Sequence, residues 1–345
     1  MKTIRRILSD QKTRMAIALL AGLGLLAVWL SAVDLKEILA RLEAFDLRYV
    51  ALFAALWLSA AFLRSLRWRV ILSRVQKVPP LESFALFMSC MFVNFLIPLR
   101  LGEAIAGLAL KRNRGVPFAK SLPTQVMDRL FDLTPIVPAL LLVMMLGGGT
   151  SSPVMGFLIF VAAVFATLSG LVVLSMARPD LAAGVIRRAA RLLPAAVRGK
   201  VEGFAVLCMQ GLGELRLGAA TIAGLIGVTF LALALDALSL QVIFRGLGYE
   251  VAAGLVLSGY TLFFLMSALP RPPGQVGSHE VLFLLIFSLL LGIDKNVASA
   301  AVLAGHLMLA ILLTVTGSLS LLALGIRSVS VVRDHMPTVT TPRAS

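Results

Sequence analysis

The sequence predicts an all-α polytopic membrane protein, with about six full transmembrane helices and two re-entrant helical hairpins arranged as an inverted repeat. Three observations predict it. Of 345 residues, 59% are hydrophobic and 14% charged, whereas soluble chains carry roughly a quarter charged residues; the mean hydropathy is +0.96. Apolar runs of about 20 residues, the length of a bilayer crossing, recur along the whole chain. Two further apolar stretches are split by Pro/Gly breaks and match one another at an offset of 177 residues.

Lys2, Arg5, Arg6, Lys12 and Arg14 precede the first apolar run, 15–33. It is longer than a signal-peptide core and has no small-residue cleavage site, so it is expected to stay as the first helix. Further full spans are expected at 49–72, 121–146, 153–177, 218–244 and 297–326. The two split stretches are 83–97 followed by 102–111, and 251–269 followed by 277–291. Their second halves are short for a crossing, so each is expected to dip in and return, with its broken backbone facing protein or water.

Two amphipathic stretches lie outside these spans. Asp34-x-x-Glu37 resembles a capping signal, and Leu35, Ile38, Leu39, Leu42 and Phe45 follow helical spacing, which predicts an interfacial helix on the external side. Pro179-Asp180 opens a second one, with a stripe of Leu181, Val185, Ala189, Leu192 and Leu193 opposite Arg187, Arg188, Arg191 and Arg198. That pattern suits an anionic leaflet surface. A single transmembrane domain is expected over 1–326, with repeat one at about 49–146, a cytoplasmic connector at about 178–217 and repeat two at about 218–326. The tail, 327–345, is expected to be disordered and cytoplasmic.

The formal net charge is +15. With the N-terminus in the cytoplasm, 24 Lys and Arg fall in cytoplasmic segments and 5 in external ones, as the positive-inside rule demands. Both termini are therefore expected on the cytoplasmic side of a bacterial-type inner membrane. The basic residues read as topology signals and contacts to anionic lipid. With only three tyrosines and no aromatic-interleaved basic tract, no nucleic-acid partner is expected. Cys90 and Cys208 have no CxxC spacing, so neither a disulfide nor a metal site follows. HExxH, GxSxG and Walker-type motifs do not occur, and no cofactor is expected.

In the proposed repeat, Glu103 corresponds to Glu280, Gly115 to Gly292, and Arg129-Leu130 to His306-Leu307. Each copy runs to a proline (Pro98; Pro270), an arginine (Arg100; Arg271) and then glycine before glutamate. The span before the first hairpin runs outside to inside and the one before the second runs inside to outside, so the copies are inverted. Inverted repeats with broken helices near the midplane are the architecture of many secondary transporters.

Charged groups deep in a bilayer cost about 2.5–3.5 kcal/mol each on insertion scales, so they are functional candidates. Here they cluster: Arg100 and Glu103 at the first break; Asp128, Arg129 and Asp132 on the next helix; Arg271, His279 and Glu280 at the second break; Asp236 and His306 in the flanking spans. Helix starts at Gly102 and Gly277 present N–H groups and a positive dipole end to an anion. Arg100, Arg129 and Arg271 then complete a cradle for a lipid phosphate. Glu103 and Glu280 either recognise a cationic headgroup or take up a proton, or they cap helix starts and pair with arginine. Asp236, His279, His306 and Asp132 are candidates for proton or ion coupling, although His306 also reads as a hydrogen-bonded interior histidine. Arg64 and Arg67, beside Trp68 and Arg69, read as interfacial anchors.

The run 92–103, with Asn94, Pro98, Arg100, Gly102 and Glu103, followed by Lys111-Arg112, Gly115 and Asp128-Arg129-Leu130-Phe131-Asp132-Leu133, resembles the lysylphosphatidylglycerol synthase transmembrane, or flippase-like, family. Pro270-x-x-Pro273-Gly274-x-x-Gly277-x-x-Glu280 and the later Gly292 match that family's second block. The resemblance covers nearly the whole chain. It implies a domain that moves aminoacylated, glycosylated, polyprenyl or phospholipids between leaflets, and it carries over Arg100, Gly102, Glu103, Asp128, Arg129, Pro273, Gly274, Gly277 and Glu280 as motif positions. His306 departs from the arginine frequent in the family. The family's soluble aminoacyl-transferase domain is not expected in the 19 residues after the last span, so the chain is not expected to make the lysyl lipid.

The reading that follows is a lipid translocator that is not an enzyme, with membrane lipids, anionic or glycosylated, as partners. Two rivals use the same residues: a membrane-embedded enzyme acting on a lipid phosphate or sugar with the carboxylates as acid and base, and an accessory subunit of a lipid-modifying synthase.

Overall fold

The computed structural model describes residues 11–97, 101–136, 138–139, 153–191, 198–199, 202–203, 211–212, 214–215, 217–266 and 271–326. All regular structure among them is helical. In chain order the helices are α1 (Gln11–Ala32), α2 (Leu35–Glu43), α3 (Arg48–Leu72), α4 (Pro80–Leu96), α5 (Gly102–Arg114), α6 (Phe118–Asp132), α7 (Pro153–Ala177), α8 (Pro179–Ala190), α9 (Ala219–Gly246), α10 (Ala253–Met266), α11 (Ser278–Leu284, running on as a π-helical turn over Leu285–Leu290) and α12 (Lys295–Ala323). A short 3₁₀ turn, Pro273–Gln275, precedes α11.

Among the described residues, α3, α9, α12 and the stretch Pro273–Leu290 are long and apolar enough to cross a membrane, and the bent pair Ala16–Ala32 and Leu35–Glu43 makes a fifth if counted as one span. Six were expected, and the differences have local causes. Where one span was expected over 121–146, α6 stops at Asp132 and a turn follows at 133–135, because the residue before Pro135 is pushed away from helical backbone. Most of the rest of that stretch lies outside the described residues, as do Pro98, Arg100, Pro270, Cys208 and the expected disordered tail. The stretch Pro273–Leu290 is not one continuous helix, since Gly274 and Gly277 have φ of 63° and 76°. Its unbroken part, 278–290, is about 20 Å long at about 1.5 Å per residue, short of the roughly 30 Å hydrocarbon core. Leu307, Ile311, Val315 and Leu322 of α12 are exposed at helical spacing, which an apolar solvent explains.

The chain divides into two compact units with interleaved segments: Met1–Arg64, Phe87–Gly102 and Phe230–Ser320 form one, and Ser65–Leu86, Glu103–Thr229 and Leu321–Ser345 the other.

In the first unit, Asp34 caps α2 as its spacing predicts, Oδ1 accepting from the N–H groups of Lys36 (2.9 Å) and Glu37 (3.3 Å). The cap turns the chain by 88° between α1 and α2. Ile38 is thereby buried with Trp29 and Ala300, while Leu35 and Leu39 stay exposed. Trp29 Nε1 donates to Ser299 Oγ at 3.2 Å, and the Asp34 N–H donates to Asn296 Oδ1 at 3.0 Å. The break before α11 lies directly on α1: a Cβ at Gly277 would come within 2.1 Å of the Gly22 carbonyl oxygen.

In the second unit, Ile71, Met127, Leu130, Phe131, Leu212 and Leu225 share one apolar core. On α8 the packed face is Ala182, Ile186 and Ala190, leaving Leu181 and Val185 exposed beside Arg187 and Arg188. The predicted stripe thus looks outward.

Candidate functional site

Charged side chains gather in both units, and each group is built by helix register. In the second unit, α3 supplies Arg67 and α6 supplies Asp128, Arg129 and Asp132. Asp128 and Asp132, four residues apart, share a face of α6. Arg67 meets both: Nε donates to Asp128 Oδ1 at 2.8 Å and Nη2 to Asp132 Oδ1 at 2.7 Å. Nη2 also donates to the Asp128 carbonyl oxygen at 3.1 Å, and Nη1 to Thr229 Oγ1 at 2.9 Å. Arg67 is 1% exposed, so the reading of this residue as an interfacial anchor is corrected. A guanidinium fork can satisfy two carboxylates and a hydroxyl at once, which makes burial tolerable here. Trp68 is also buried, its Nε1 donating to Thr124 Oγ1 at 3.1 Å.

Asp132 is shared. Its Oδ2 accepts from Arg129 Nη1 at 2.9 Å, and Arg129 Nε lies 3.8 Å from Glu103 Oε1. Glu103 sits in the first turn of α5, where its carbonyl oxygen accepts from Gln125 Nε2 at 3.2 Å. With two arginines and three carboxylates, the group carries one net negative charge when all are ionised. Arg129 is its most open member, with 39% of its side chain exposed against 19% for Glu103 and 2% for Asp128.

In the first unit, the break before α11 brings together Arg271, Gly274, Gln275, Gly277, His279 and Glu280. Arg271 Nη1 donates to Gln275 Oε1 at 2.6 Å, and His279 Nδ1 lies 3.2 Å from the same oxygen. His306 of α12 contacts both ends of the break, with Nδ1 2.6 Å from Glu280 Oε1 and Nε2 2.9 Å from the Gly274 carbonyl oxygen. His279 and His306 stack with ring centroids 4.5 Å apart, and Phe95 meets His306 edge-on. Glu280 and His306 are both buried.

Asp236 on α9 is buried against Arg64, the second residue read as an interfacial anchor and likewise corrected. The Tyr260 hydroxyl hydrogen-bonds Asp236 as well. Tyr260, Phe263, Ser239, Trp57 and His279 line a cavity of about 70 Å³ in this unit. At Gly102 the N–H is engaged, donating to Asn94 Oδ1 at 2.8 Å, and a Cβ there would come within 2.1 Å of the Cys90 carbonyl oxygen. Asn94 stood in the motif without a role; Thr229, Gln125, Gln275 and Tyr260 carried no signal beyond being polar in an apolar chain. Two aspartates one turn apart were the signal that could have found Arg67, because such a pair in lipid needs a buried cation. Among the described residues no group of three or more His, Cys, Asp and Glu is arranged to hold a metal ion.

A curated relative, named Glycosyltransferase AglD, from Haloferax volcanii, is 26% identical over 364 aligned residues, which cover 96% of this chain and 58% of that protein. The chain therefore spans less than two thirds of that relative's length. The expectation that the chain is not an enzyme does not stand beside a relative named as a glycosyltransferase. No solved structure matches the chain. Residues 15–317 match the family described as Lysylphosphatidylglycerol synthase TM region. With that match over most of its length and several apolar helices of crossing length, the chain is a multi-pass membrane protein that belongs to the lysylphosphatidylglycerol synthase transmembrane family.

Proposed function

We propose that this chain moves a phospholipid, aminoacylated lipid or glycolipid between membrane leaflets, and that Arg129 and Glu103 meet the headgroup. The observation that carries this reading is the asymmetry of the second unit's charged group. Arg67 and Asp128 are sealed, whereas Arg129 and Glu103 keep solvent-accessible surface at one edge of the same network. A guanidinium tethered at Asp132 is preorganised to meet a phosphate oxygen, and the Glu103 carboxylate beside it suits the amine or hydroxyls of a headgroup. The inverted repeat, with re-entrant segments near 83–111 and 251–291 and both termini in the cytoplasm of an inner membrane, supplies two access states in this reading.

The experiment reconstitutes the full chain into liposomes with fluorescent phospholipids and quenches the outer leaflet. Transbilayer movement should accelerate with the wild-type chain and fall by about tenfold or more in Arg129→Ala and Glu103→Gln, the scale of one charge-assisted contact. Normal flux in both variants would remove the site assignment.

A second reading is favoured by the relative's name: sugar transfer to or from a lipid phosphate, with a membrane carboxylate as acid or base. Mass spectrometry of lipids incubated with the chain and a sugar donor or acceptor tests it, since transfer to the lipid adds one glycosyl residue as the donor's leaving group departs, and transfer from it removes one.

A further inference from the structure

We propose that Glu280 and His306 form a proton-binding site, and that its occupancy sets whether the break before α11 is latched to α12. The inference follows from counting protons at one imidazole. The Gly274 carbonyl oxygen, 2.9 Å from His306 Nε2, can only accept, so Nε2 carries a proton. His306 Nδ1 lies 2.6 Å from Glu280 Oε1, and that contact needs one further proton, held by the ring or by the carboxyl. Glu280 Oε2 is buried without a hydrogen-bond partner among the described residues. A bare carboxylate there would be stabilised from the His306 side alone.

Remove the shared proton, and one ring N–H is left for two acceptors. A carboxylate is the stronger acceptor, so the remaining proton moves to Nδ1, and the Nε2 lone pair then faces the Gly274 carbonyl. The latch to Gly274 opens. The turn it holds is strained, because Gln275 has φ of 58° in the left-handed region that side chains disfavour.

The groups facing the pair are few. His279 stacks on His306 from α11, and Arg271 lies 3.5 Å from His279 Nδ1. Phe95 of α4 covers the ring edge-on. Beyond them, Tyr260 of α10 lies in electrostatic reach of Arg271, of Asp236 on α9 and of Arg64 on α3, and Arg64 and Asp236 pair with each other. The stretch of α1 that packs on the break, around Gly22 and Leu26, has no titratable residue. His279 also lines the mostly apolar cavity of about 70 Å³, together with Ser239 and Tyr260. Coupling of this site to lipid movement rests on the translocator reading; the proton site itself does not.

Amide hydrogen exchange of 272–279 against pH, corrected for intrinsic rates, tests the latch in the full chain in phospholipid nanodiscs. In the wild-type chain, exchange should quicken by about tenfold as pH rises and the shared proton leaves, the worth of one buried hydrogen bond. Glu280→Gln should stay protected at every pH, because its amide donates to Nδ1 permanently and Nε2–H remains on Gly274. His306→Phe should exchange fast at every pH. Wild-type protection that ignores pH wherever the chain is folded, or an unchanged pH response in Glu280→Gln, would overturn the proposal. Movement of fluorescent phospholipid by the same chain in vesicles separates the two ideas. A pH-dependent latch without lipid movement keeps the proton site and removes the translocator reading; lipid movement with pH-independent exchange does the reverse.

Discussion

Arg67 Nε donates to Asp128 Oδ1 at 2.8 Å, with both side chains closed off from solvent. The contact ties α3 to α6 by charge, within a network that also takes in Asp132, Arg129 and Thr229. Breaking a buried pair from one side is strongly destabilising, by about 3–5 kcal/mol, because the other charge is stranded. Arg67→Met should therefore cost about that much and strand two carboxylates. Arg67→Lys should recover only part, since an ammonium cannot reach Asp128, Asp132 and Thr229 in one planar fork. Thermal unfolding in detergent, compared across the three chains, measures it.

For Arg64 and Asp236 a double-mutant cycle is the sharper test. Asp236→Leu or Arg64→Met alone should each lower the melting temperature. The combined variant should be more stable than the sum of the two losses, because an apolar pair of similar volume is often neutral in such a place. Strict additivity would mean that the two side chains do not stabilise one another.

Gly102 is required by space. Its Cβ would meet the Cys90 carbonyl oxygen at 2.1 Å and the Asn94 side chain at 2.8 Å. Gly102→Ala should cost about 1–3 kcal/mol, as overpacking does, and Asn94→Ala about 1 kcal/mol for the lost bond to the Gly102 N–H. Chemical denaturation of the two variants ranks them; a milder effect from Gly102→Ala than from Asn94→Ala would contradict the close approach.

Asp34 holds the corner between α1 and α2. Asp34→Ala removes the acceptor for two backbone N–H groups and should cost about 1 kcal/mol. Hydrogen exchange should rise over 35–43 while 48–72 is unaffected, a local signature that a global loss of stability would not produce.

Much of the helical layout was legible in residue order. The runs read as 49–72, 153–177, 218–244 and 297–326 appear as α3, α7, α9 and α12 with ends shifted by a few residues. Asp34 with Glu37 marked the start of α2, and the proline and glycine of 273–277 marked the break before α11. The polar groups were legible as candidates, and pairing of Glu103 with arginine was one of the alternatives, but most of the partners were not legible. Arg64 and Arg67 stood at the end of an apolar run, where an interfacial anchor and a buried ion-pair partner look alike. From residue order Asp236 belongs to the clustered membrane-depth groups, and its partner Arg64, 172 residues away, does not.

What the sequence by itself determined is the solvent and the secondary structure: so apolar a chain must face lipid, and in lipid a backbone that pairs with itself along one segment is a helix. Tertiary structure decided which charge meets which. A guanidinium finds two carboxylates and a hydroxyl only when α3 and α6 are packed with Thr229 beside them, and His306 finds the Gly274 carbonyl only when the break is folded against α12. Those pairings depend on distances of about 3 Å between atoms far apart in the chain, and helical periodicity carries no information about such distances.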